Sequence, residues 1–326
     1  MNIIFDGNYL FHKSFAVFSK YYKDQDMTAV LADEKNQEIL IRKCIIDLCA
    51  AVQRFDKIKR VVVVFDTTSW RYSLHDDYKY ALTKVKEEYS RYFYEILNRL
   101  ESLMRKKGLI VSRVSGAEGD DLMYVWALYL SYILDEKSVI VTGDSDIRQL
   151  ITPNVSVFNN NSERLNMYCH SSAVNYWERE WSCDIQVSEI NPVEVLLYKV
   201  VMGDTSDNIA KLKKGFGKKA FEKFLSSFSI DYRLFQESPD LISLSRWITS
   251  RFCEFTKMEE SEVLGNVIFN LKMTWLNLSV YNNTDYITEN GKSLLENMLD
   301  DINEQKEKYS YNKPFTLENF YGMLMK

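Results

Sequence analysis

The sequence predicts an α/β fold. A mostly parallel, doubly wound sheet flanked by helices is expected over about residues 1–195, and a largely helical region over 196–326. Three observations carry this. Ile3-Ile4-Phe5, Arg60–Phe65 and Ser138–Val141 are short apolar runs, the second a β-branched stretch of the kind buried on both faces of a parallel sheet. Segments of helical period separate them. Each run ends in carboxylates: Asp6, Asp66, then Asp144 and Asp146. Ligands of an open parallel sheet bind beyond the carboxyl ends of its strands, so these acids sit where a site is expected.

Taken in order, Ile3–Phe5 is the first strand; Asp6 then either serves a site or closes an Asx turn with Gly7-Asn8. Residues 34–53 read as an amphipathic helix with Ile39, Ile41, Cys44, Ile45, Leu48 and Val52 on one side. Arg60–Phe65 is the second strand, ending in Asp66. Residues 67–92 interleave Trp70, Arg71, Tyr72, Tyr78, Lys79, Tyr80, Lys84, Lys86, Tyr89, Arg91 and Tyr92. Such a mixture suits single-stranded nucleic acid, whose bases stack while its phosphates pair with cations; a solvated amphipathic helix is the other reading. That helix continues to about Lys107 through Ile96, Leu97, Leu100 and Met104, and Leu109-Ile110-Val111 forms a short buried strand.

Gly116-Ala117-Glu118-Gly119-Asp120-Asp121-Leu122 follows, where a strand hands over to a helix whose Leu122, Val125, Trp126 and Tyr129 recur at helical spacing. Glu118 and Asp121 share one face, with Asp120 beside them. The positive field of a helix N-terminus favours ionised acids, yet three crowded carboxylates repel unless a cation sits among them. The stretch is either a divalent-metal site or a charged helix start. Thr142-Gly143-Asp144-Ser145-Asp146 closes the third strand; Ile147–Leu150 starts a helix, and Val155–Phe158 is a further strand. A helix from Pro192 to Met202 leads into Gly203-Asp204-Thr205-Ser206-Asp207-Asn208-Ile209. A hinge carrying Lys211, Lys213, Lys214, Gly215, Gly217, Lys218 and Lys219 comes next, then a helix to about Phe228. Glycines at two-residue spacing beside a helix N-terminus suit phosphate binding, against the alternative of a flexible charged loop. The remainder reads as mostly helical, with Phe269–Leu271 and Ser279–Tyr281 as candidate extended pieces and 285–308 as an acidic, solvated helix; none of it suggests chemistry.

Composition excludes little. An apolar share of 46% and a charged share of 27% are ordinary for a globular chain of 326 residues. No apolar run reaches the roughly 18 residues that span a bilayer, and no basic leader precedes an apolar segment, so neither a membrane protein nor a secreted one is expected. The five cysteines (Cys44, Cys49, Cys169, Cys183, Cys253) are scattered without a CxxC pair, which suggests reduced thiols in a cytosolic setting and argues against zinc. The net charge of −5 is a whole-surface sum and leaves room for a local basic patch.

Glu118-x-Asp120-Asp121, Thr142-Gly-Asp-Ser-Asp…Gln149-Leu150 and Gly203-Asp-x-x-Asp-Asn-Ile209, in order and spacing with Asp6 and Asp66, resemble the 5′ nuclease (flap endonuclease) family. That family includes the 5′-nuclease domain of bacterial DNA polymerase I and phage enzymes. The resemblance covers roughly residues 1–225; more weakly, the tail, with Asp285-Tyr286-Ile287 and a final Lys/Pro-Tyr/Phe helix, looks like the T-even phage RNase H type. It implies a PIN-like catalytic domain over 1–195 with a helical arch at about 67–92, then a helix–three-turn–helix and helical C-terminal part over 196–326. It implies metal ligands at Asp6, Asp66, Glu118, Asp120, Asp121, Asp144, Asp146, Asp204 and Asp207. Arch cations fall at Arg71 and Tyr78-Lys79, and a cation near the scissile phosphate at Lys199. Lys84, Lys86 and the hinge residues Lys211, Lys213, Lys214, Gly215, Gly217, Lys218 and Lys219 are the expected DNA contacts. Two departures stand out. Ile209-Ala210-Lys211-Leu212 replaces the usual Ile-Pro-Gly-Val, and Tyr80-Ala81-Leu82 follows Lys79 in place of a basic tail.

The implied reaction is phosphodiester hydrolysis by two divalent ions. An all-carboxylate set without His or Cys suits Mg²⁺, with Mn²⁺ able to substitute and K⁺ at the helix–three-turn–helix. His12, His75 and His170 are scattered and not expected as ligands. Expected partners are branched or nicked duplex DNA and RNA/DNA hybrids with 5′ ends, then a replication clamp or single-strand-binding protein. No membrane is expected, and a monomer in the cytoplasm, a host's if the gene is a phage's. Removal of RNA primers or 5′ flaps would be the role. Two other readings stay open: a PIN-type metal-dependent RNase, which would lack the 203–219 module, and a catalytically silent DNA-binding scaffold, which would ordinarily have lost a metal carboxylate.

Overall fold

The computed structural model describes residues 1–79, 90–161, 164–180, 185–230 and 240–308. Lys84 and Lys86, most of the expected arch, Cys183 and the closing segment from 309 lie outside the described residues.

Seven strands form one sheet in the order β3-β2-β1-β4-β5-β6-β7, with β1 Asn2–Asp6, β2 Arg60–Val64, β3 Ile110–Ser112, β4 Ser138–Val141, β5 Val155–Asn161, β6 Arg164–Cys169 and β7 Gln186–Glu189. Every neighbouring pair is parallel except β5 with β6. The register sets Asn2 against Arg60 on one side and Ser138 on the other, so the carboxyl ends of β1, β2 and β4 finish level. Alternate residues of these strands feed opposite faces. Ile3, Phe5, Val61, Val63, Val139 and Val141 pack under α1 Gly7–Lys20, α3 Glu34–Val52 and α4 Ser90–Lys106, with the short α2 Met27–Ala32 alongside. Ile4, Val62, Val64 and Ile140 face α5 Gly119–Leu128.

Helix α6 Val174–Glu180 packs on the first face through Trp177, whereas beyond the second face lie α7 Pro192–Met202, α8 Lys218–Leu225, α9 Leu241–Thr256, α10 Glu260–Thr274, α11 Leu278–Tyr281 and α12 Leu294–Lys308. One core cluster runs from Ile4 and Val62 through Trp126, Val200, Phe252 and Leu271 to Ile302, so the C-terminal helices share the sheet's core.

Several local expectations need correction. Ile39 is 53% exposed and Leu40 takes the buried position, because the helix turns 100° per residue and Leu40, Cys44, Ile45 and Leu48 complete the stripe. Phe269–Leu271 and Ser279–Tyr281 are helical, within α10 and α11; single apolar triplets carry no period to tell strand from helix. Asp146–Leu150 is one 3₁₀ turn that stops at an extended Ile151. Helix α12 covers only the second part of 285–308 and buries Leu294, Met298 and Ile302, so it is not solvated all round. No helix among the described residues is long and apolar enough to cross a membrane.

Candidate active site

The level strand ends bring Asp6, Asp66 and Asp144 to one edge, and the β3–α5 connection sets Glu118 and Asp120 beside them. Two adjoining chambers result. The first, about 310 Å³, is lined by carboxylates of Glu118, Asp120, Asp144, Asp146, Asp204 and Asp207 together with Arg71, Tyr78, Lys79 and Lys199. The second, about 320 Å³, is lined by Asp6, Asp66, Glu118, Asp120 and Asp144 with Asn8, Tyr9, His12 and Lys79. Lys79, Glu118, Asp120 and Asp144 belong to both.

Each acid is held by its own local chemistry. Asp6 caps α1: one oxygen accepts the Tyr9 N–H at 2.8 Å, and the other accepts the Thr142 hydroxyl at 2.8 Å. The Asx-type reading is therefore realised, by a side chain that also lines the second chamber. Asp66 accepts the Gly119 N–H at 2.6 Å and the Asn8 amide at 2.7 Å. A Cβ on Gly119 would sit 2.8 Å from that same Asp66 oxygen, so glycine is required for the approach. Asp144 accepts the Asp146 N–H at 2.8 Å, which fixes the Thr142–Asp146 turn. Lys199 bridges Asp146 at 2.7 Å and Asp204 at 2.5 Å, tying the β4 turn to the turn after α7. Gly203 makes that second turn possible: it has φ +66°, and a Cβ there would come within 2.3 Å of the Ile209 carbonyl.

The electrostatics divide the set. Burial, then Asp66, pushes Asp6 up to about 7. Burial, then Glu118, raises Asp66; burial, then Asp144 and Glu118, raises Asp120 well above its ordinary value. Burial, then Asp144, raises Asp146, and burial chiefly lifts Asp207 to about 6. Two acids go the other way despite burial. Arg71 and Lys79 hold Glu118 down to about 2, and hydrogen bonds from Lys199 and Ser206 lower Asp204. Lys79 takes a left-handed backbone, φ +54°, an uncommon conformation for a side chain of its kind, and its ammonium pairs with Glu118.

Among the described residues no three of these acids are already drawn into a closed ligand cluster. His12, not expected as a ligand, lines the second chamber, but the carboxylates that dominate both chambers nevertheless fit a hard divalent cation. These acids supply oxygens, and Asp6, Asp66 and Asp120 line the second chamber together with more negative charge than Lys79 offsets.

Several expected site residues sit in other surroundings than the sequence suggests. Asp121 was expected as a metal ligand, but it is fully buried and lines neither chamber. Its oxygens accept from Arg71, the Tyr281 hydroxyl and the Glu118 N–H. Arg71 was expected as a phosphate-facing cation; it lines the first chamber, yet it is 2% exposed and four of its five N–H groups donate to Asp121, Glu118 and the Met273 carbonyl. Tyr78 likewise donates to Glu118 at 3.0 Å. In the hinge, Lys214, Lys218 and Lys219 are exposed, and Gly217 leads into α8 without a side-chain cap on its first N–H groups. Lys211, itself exposed, and half-buried Lys213 reach the Phe216 and Thr256 carbonyls at 3.3 Å, so of the two only Lys213 is drawn in from the duplex-facing role expected of it.

Sequence reasoning assigns no role to Asn8, Thr142 and Gly119, although all three stand inside or beside the motifs. Met273, Thr274, Leu276 and Tyr281 had no local signal; they reach the site only through tertiary packing of the C-terminal helices.

The comparisons agree with this architecture. The profile of the 5′-3′ exonuclease, N-terminal resolvase-like domain matches residues 1–177. A 5′-3′ exonuclease of Mycoplasmopsis pulmonis is 28% identical over 246 residues, 74% of this chain and 72% of that protein. DNA polymerase I of Synechocystis sp. is 24% identical over 254 residues, which is 76% of this chain but 24% of the polymerase. Among solved structures, T5 5′-exonuclease with zinc bound superposes with a TM-score of 0.56 at 15% identity, covering 94% of this chain and 100% of that one. A bacteriophage T5 flap endonuclease variant in complex with DNA and metal ions gives 0.56 at 17% identity, covering 94% and 99%. At such identities the superpositions speak for the fold alone. With the profile spanning more than half of the sequence over the strands that carry the carboxylates, the chain belongs to the 5′-3′ exonuclease family and is a nuclease.

Proposed function

We propose that this nuclease is structure-specific: it hydrolyses phosphodiesters near the 5′ ends of flapped or nicked duplex DNA and RNA/DNA hybrids, with two divalent ions, in removal of RNA primers or flaps. The observation that carries the reading is the pair of adjoining chambers, each lined by carboxylates and sharing Glu118, Asp120, Asp144 and Lys79. Asp6, Asp66, Glu118 and Asp120 would hold one ion, and Asp144, Asp146, Asp204 and Asp207 would help hold a second. Mg²⁺ fits the all-oxygen set, and when bound such ions activate a water and offset charge on the leaving oxygen.

The chain's own residues would do the rest. Lys79, between both chambers, supplies a cation for the phosphate, and its pairing with Glu118 keeps it protonated against burial. Lys199 holds the Asp146 and Asp204 turns at a fixed separation. Lys214, Lys218 and Lys219 bind duplex phosphates without reading sequence. On this reading residues 1–195 form the catalytic part, and 196–326 grip DNA while also walling the first chamber. A labelled 5′-flap duplex, a nicked duplex and an RNA/DNA hybrid, each incubated with Mg²⁺ and with EDTA, test the proposal. Mg²⁺-dependent release of 5′ fragments is expected. Cleavage of single-stranded RNA alone would favour a PIN-type RNase, and binding without cleavage a silent scaffold.

A further inference from the structure

Tyr281 stands on α11, 160 residues beyond Asp121 in sequence, yet its hydroxyl donates to Asp121 Oδ1 at 2.9 Å. The same oxygen accepts Arg71 Nη2 at 2.8 Å. Asp121 Oδ2 accepts Arg71 Nη1 at 3.0 Å and the Glu118 backbone N–H at 3.0 Å. This carboxylate has two donors on each oxygen and no exposed surface, so it has no capacity left for an ion or water. Arg71 passes the restraint on. Its Nε donates to the Met273 carbonyl at 2.9 Å, and Nη1 also donates to Glu118 Oε2 at 2.8 Å. That Glu118 oxygen further accepts the Ser69 hydroxyl at 2.8 Å and the Tyr78 hydroxyl at 3.0 Å. Three protein donors saturate Oε2. Only Oε1 remains, paired with Lys79 at the junction of the two chambers.

We infer that Tyr281, Asp121 and Arg71 are positioning residues: a buried relay through which the C-terminal helices fix the plane of the Glu118 carboxylate, so that one chosen oxygen is presented to the chambers. The inference rests on the ion-dependent reading of the site given above. Its physical basis is the planar guanidinium, whose two-pronged contact with Asp121 fixes orientation as well as charge; an ammonium would keep the charge alone. Tyr281 is itself fixed, edge-on to Trp70 and tilted against Tyr124 with ring centroids 6.4 and 5.9 Å away. Partners that orient an ion's ligands commonly change ion affinity or rate by roughly 10–100-fold when removed.

Tyr281→Phe removes one oxygen and leaves the ring packing in place. The full chain is titrated with Mn²⁺ in a calorimeter, and single-turnover cleavage of a 5′-flap duplex is followed against Mg²⁺ concentration. The expected result is a roughly tenfold weaker Mn²⁺ affinity and a similar rise in the Mg²⁺ needed for half-maximal rate, with KM for the flap duplex unchanged. Arg71→Lys should act in the same direction and more strongly, and the double variant should be less than additive, since both changes cut one chain of contacts. Tyr124→Phe is the control: its hydroxyl accepts the Leu278 N–H at 3.1 Å, its ring lies in the same cluster, and it should change neither quantity. Wild-type Mn²⁺ affinity and Mg²⁺ response in Tyr281→Phe would overturn the relay, as would an equal shift in Tyr124→Phe. If the wild-type chain itself neither binds Mn²⁺ nor cuts the flap, it is the underlying ion-dependent reading that falls.

Discussion

Replacing Asp6 with Asn should make the ion-free protein more stable while destroying its activity. Asp6 carries a buried negative charge beside Asp66, which lifts its carboxyl from an ordinary 3.8 to about 7. The sign follows directly. A folded acid whose pKa is raised keeps its proton longer than the unfolded chain does, so the site costs nothing below about pH 4. Its cost grows as pH climbs from there to about 7, and is constant above. The full span corresponds to ~4 kcal/mol, an upper limit because Asp6, Asp66 and Asp120 titrate as a group and relax together. Asn keeps both local contacts. Its Oδ1 can still cap α1 through Tyr9, and its amide can donate to the Thr142 hydroxyl in place of the present bond.

At roughly 1.5 °C per kcal/mol for a chain of this length, Asp6→Asn should melt ~3–6 °C above wild type in EDTA at pH 8. Thermal denaturation from pH 4 to 8 checks this: the two curves should converge near pH 4 and separate by pH 7. Mg²⁺ at about 1,000 times its Kd should reverse the order, since it adds about 4.1 kcal/mol to the protein that binds it. Asp6→Ala separates charge from capping, because it loses about 1 kcal/mol of helix cap while also removing the charge. An Asp6→Asn protein that melts at or below wild type in EDTA at pH 8 would show that Asp6 is not electrostatically frustrated, and would remove the physical ground for placing an ion there.

Three further outcomes are expected. Asp120→Asn and Asp144→Asn should each lower the cleavage rate by several kcal/mol of barrier and leave flap-duplex affinity unchanged or tighter, measured by single-turnover rates and by binding in EDTA. Lys214→Ala, Lys218→Ala and Lys219→Ala should each reduce the slope of log K against log salt by roughly 0.9 if the residue meets a duplex phosphate, with little change in turnover at saturating DNA; Lys213→Ala, turned inward, should not. Glu136 accepts from Lys59 at 2.8 Å and Asn2 at 3.0 Å, and these bonds with the Arg60 charge hold it down to about 2 despite burial. Glu136→Gln should therefore lose ~1 kcal/mol at pH 7, after solvent screening, and the difference should fade as pH falls from about 4.5 to about 2, followed by chemical denaturation at each pH.

What the sequence disclosed and what it concealed follow from the range of the interactions involved. β1, β2 and β4 were legible because a parallel strand buried on both faces leaves a continuous apolar run, and a strand-end carboxylate directly after it has few structural uses. Asp6, Asp66 and Asp144 were therefore readable at the sheet edge, while local pattern left the Glu118–Asp120 pair open between a metal site and a charged helix start until the motifs were taken together. Asp121 was misread because a helix's first turn places residues one and three apart on nearby faces, and only the partner decides which face reaches the site. Here the partner is Arg71, itself misread because interleaved cations and aromatics look alike whether they meet a phosphate or a buried acid. Deciding between those needs the distant residues: the Met273 carbonyl and the Tyr281 hydroxyl, which enclose Arg71 and Asp121 from the C-terminal helices. A buried cation with four of its five N–H groups bonded cannot leave those acceptors for a phosphate without stranding Asp121, at a cost of about 3–5 kcal/mol. On the proposed reading, Lys79, partly exposed and paired with Glu118 alone, would be the side chain that exchanges its carboxylate for substrate at lower cost.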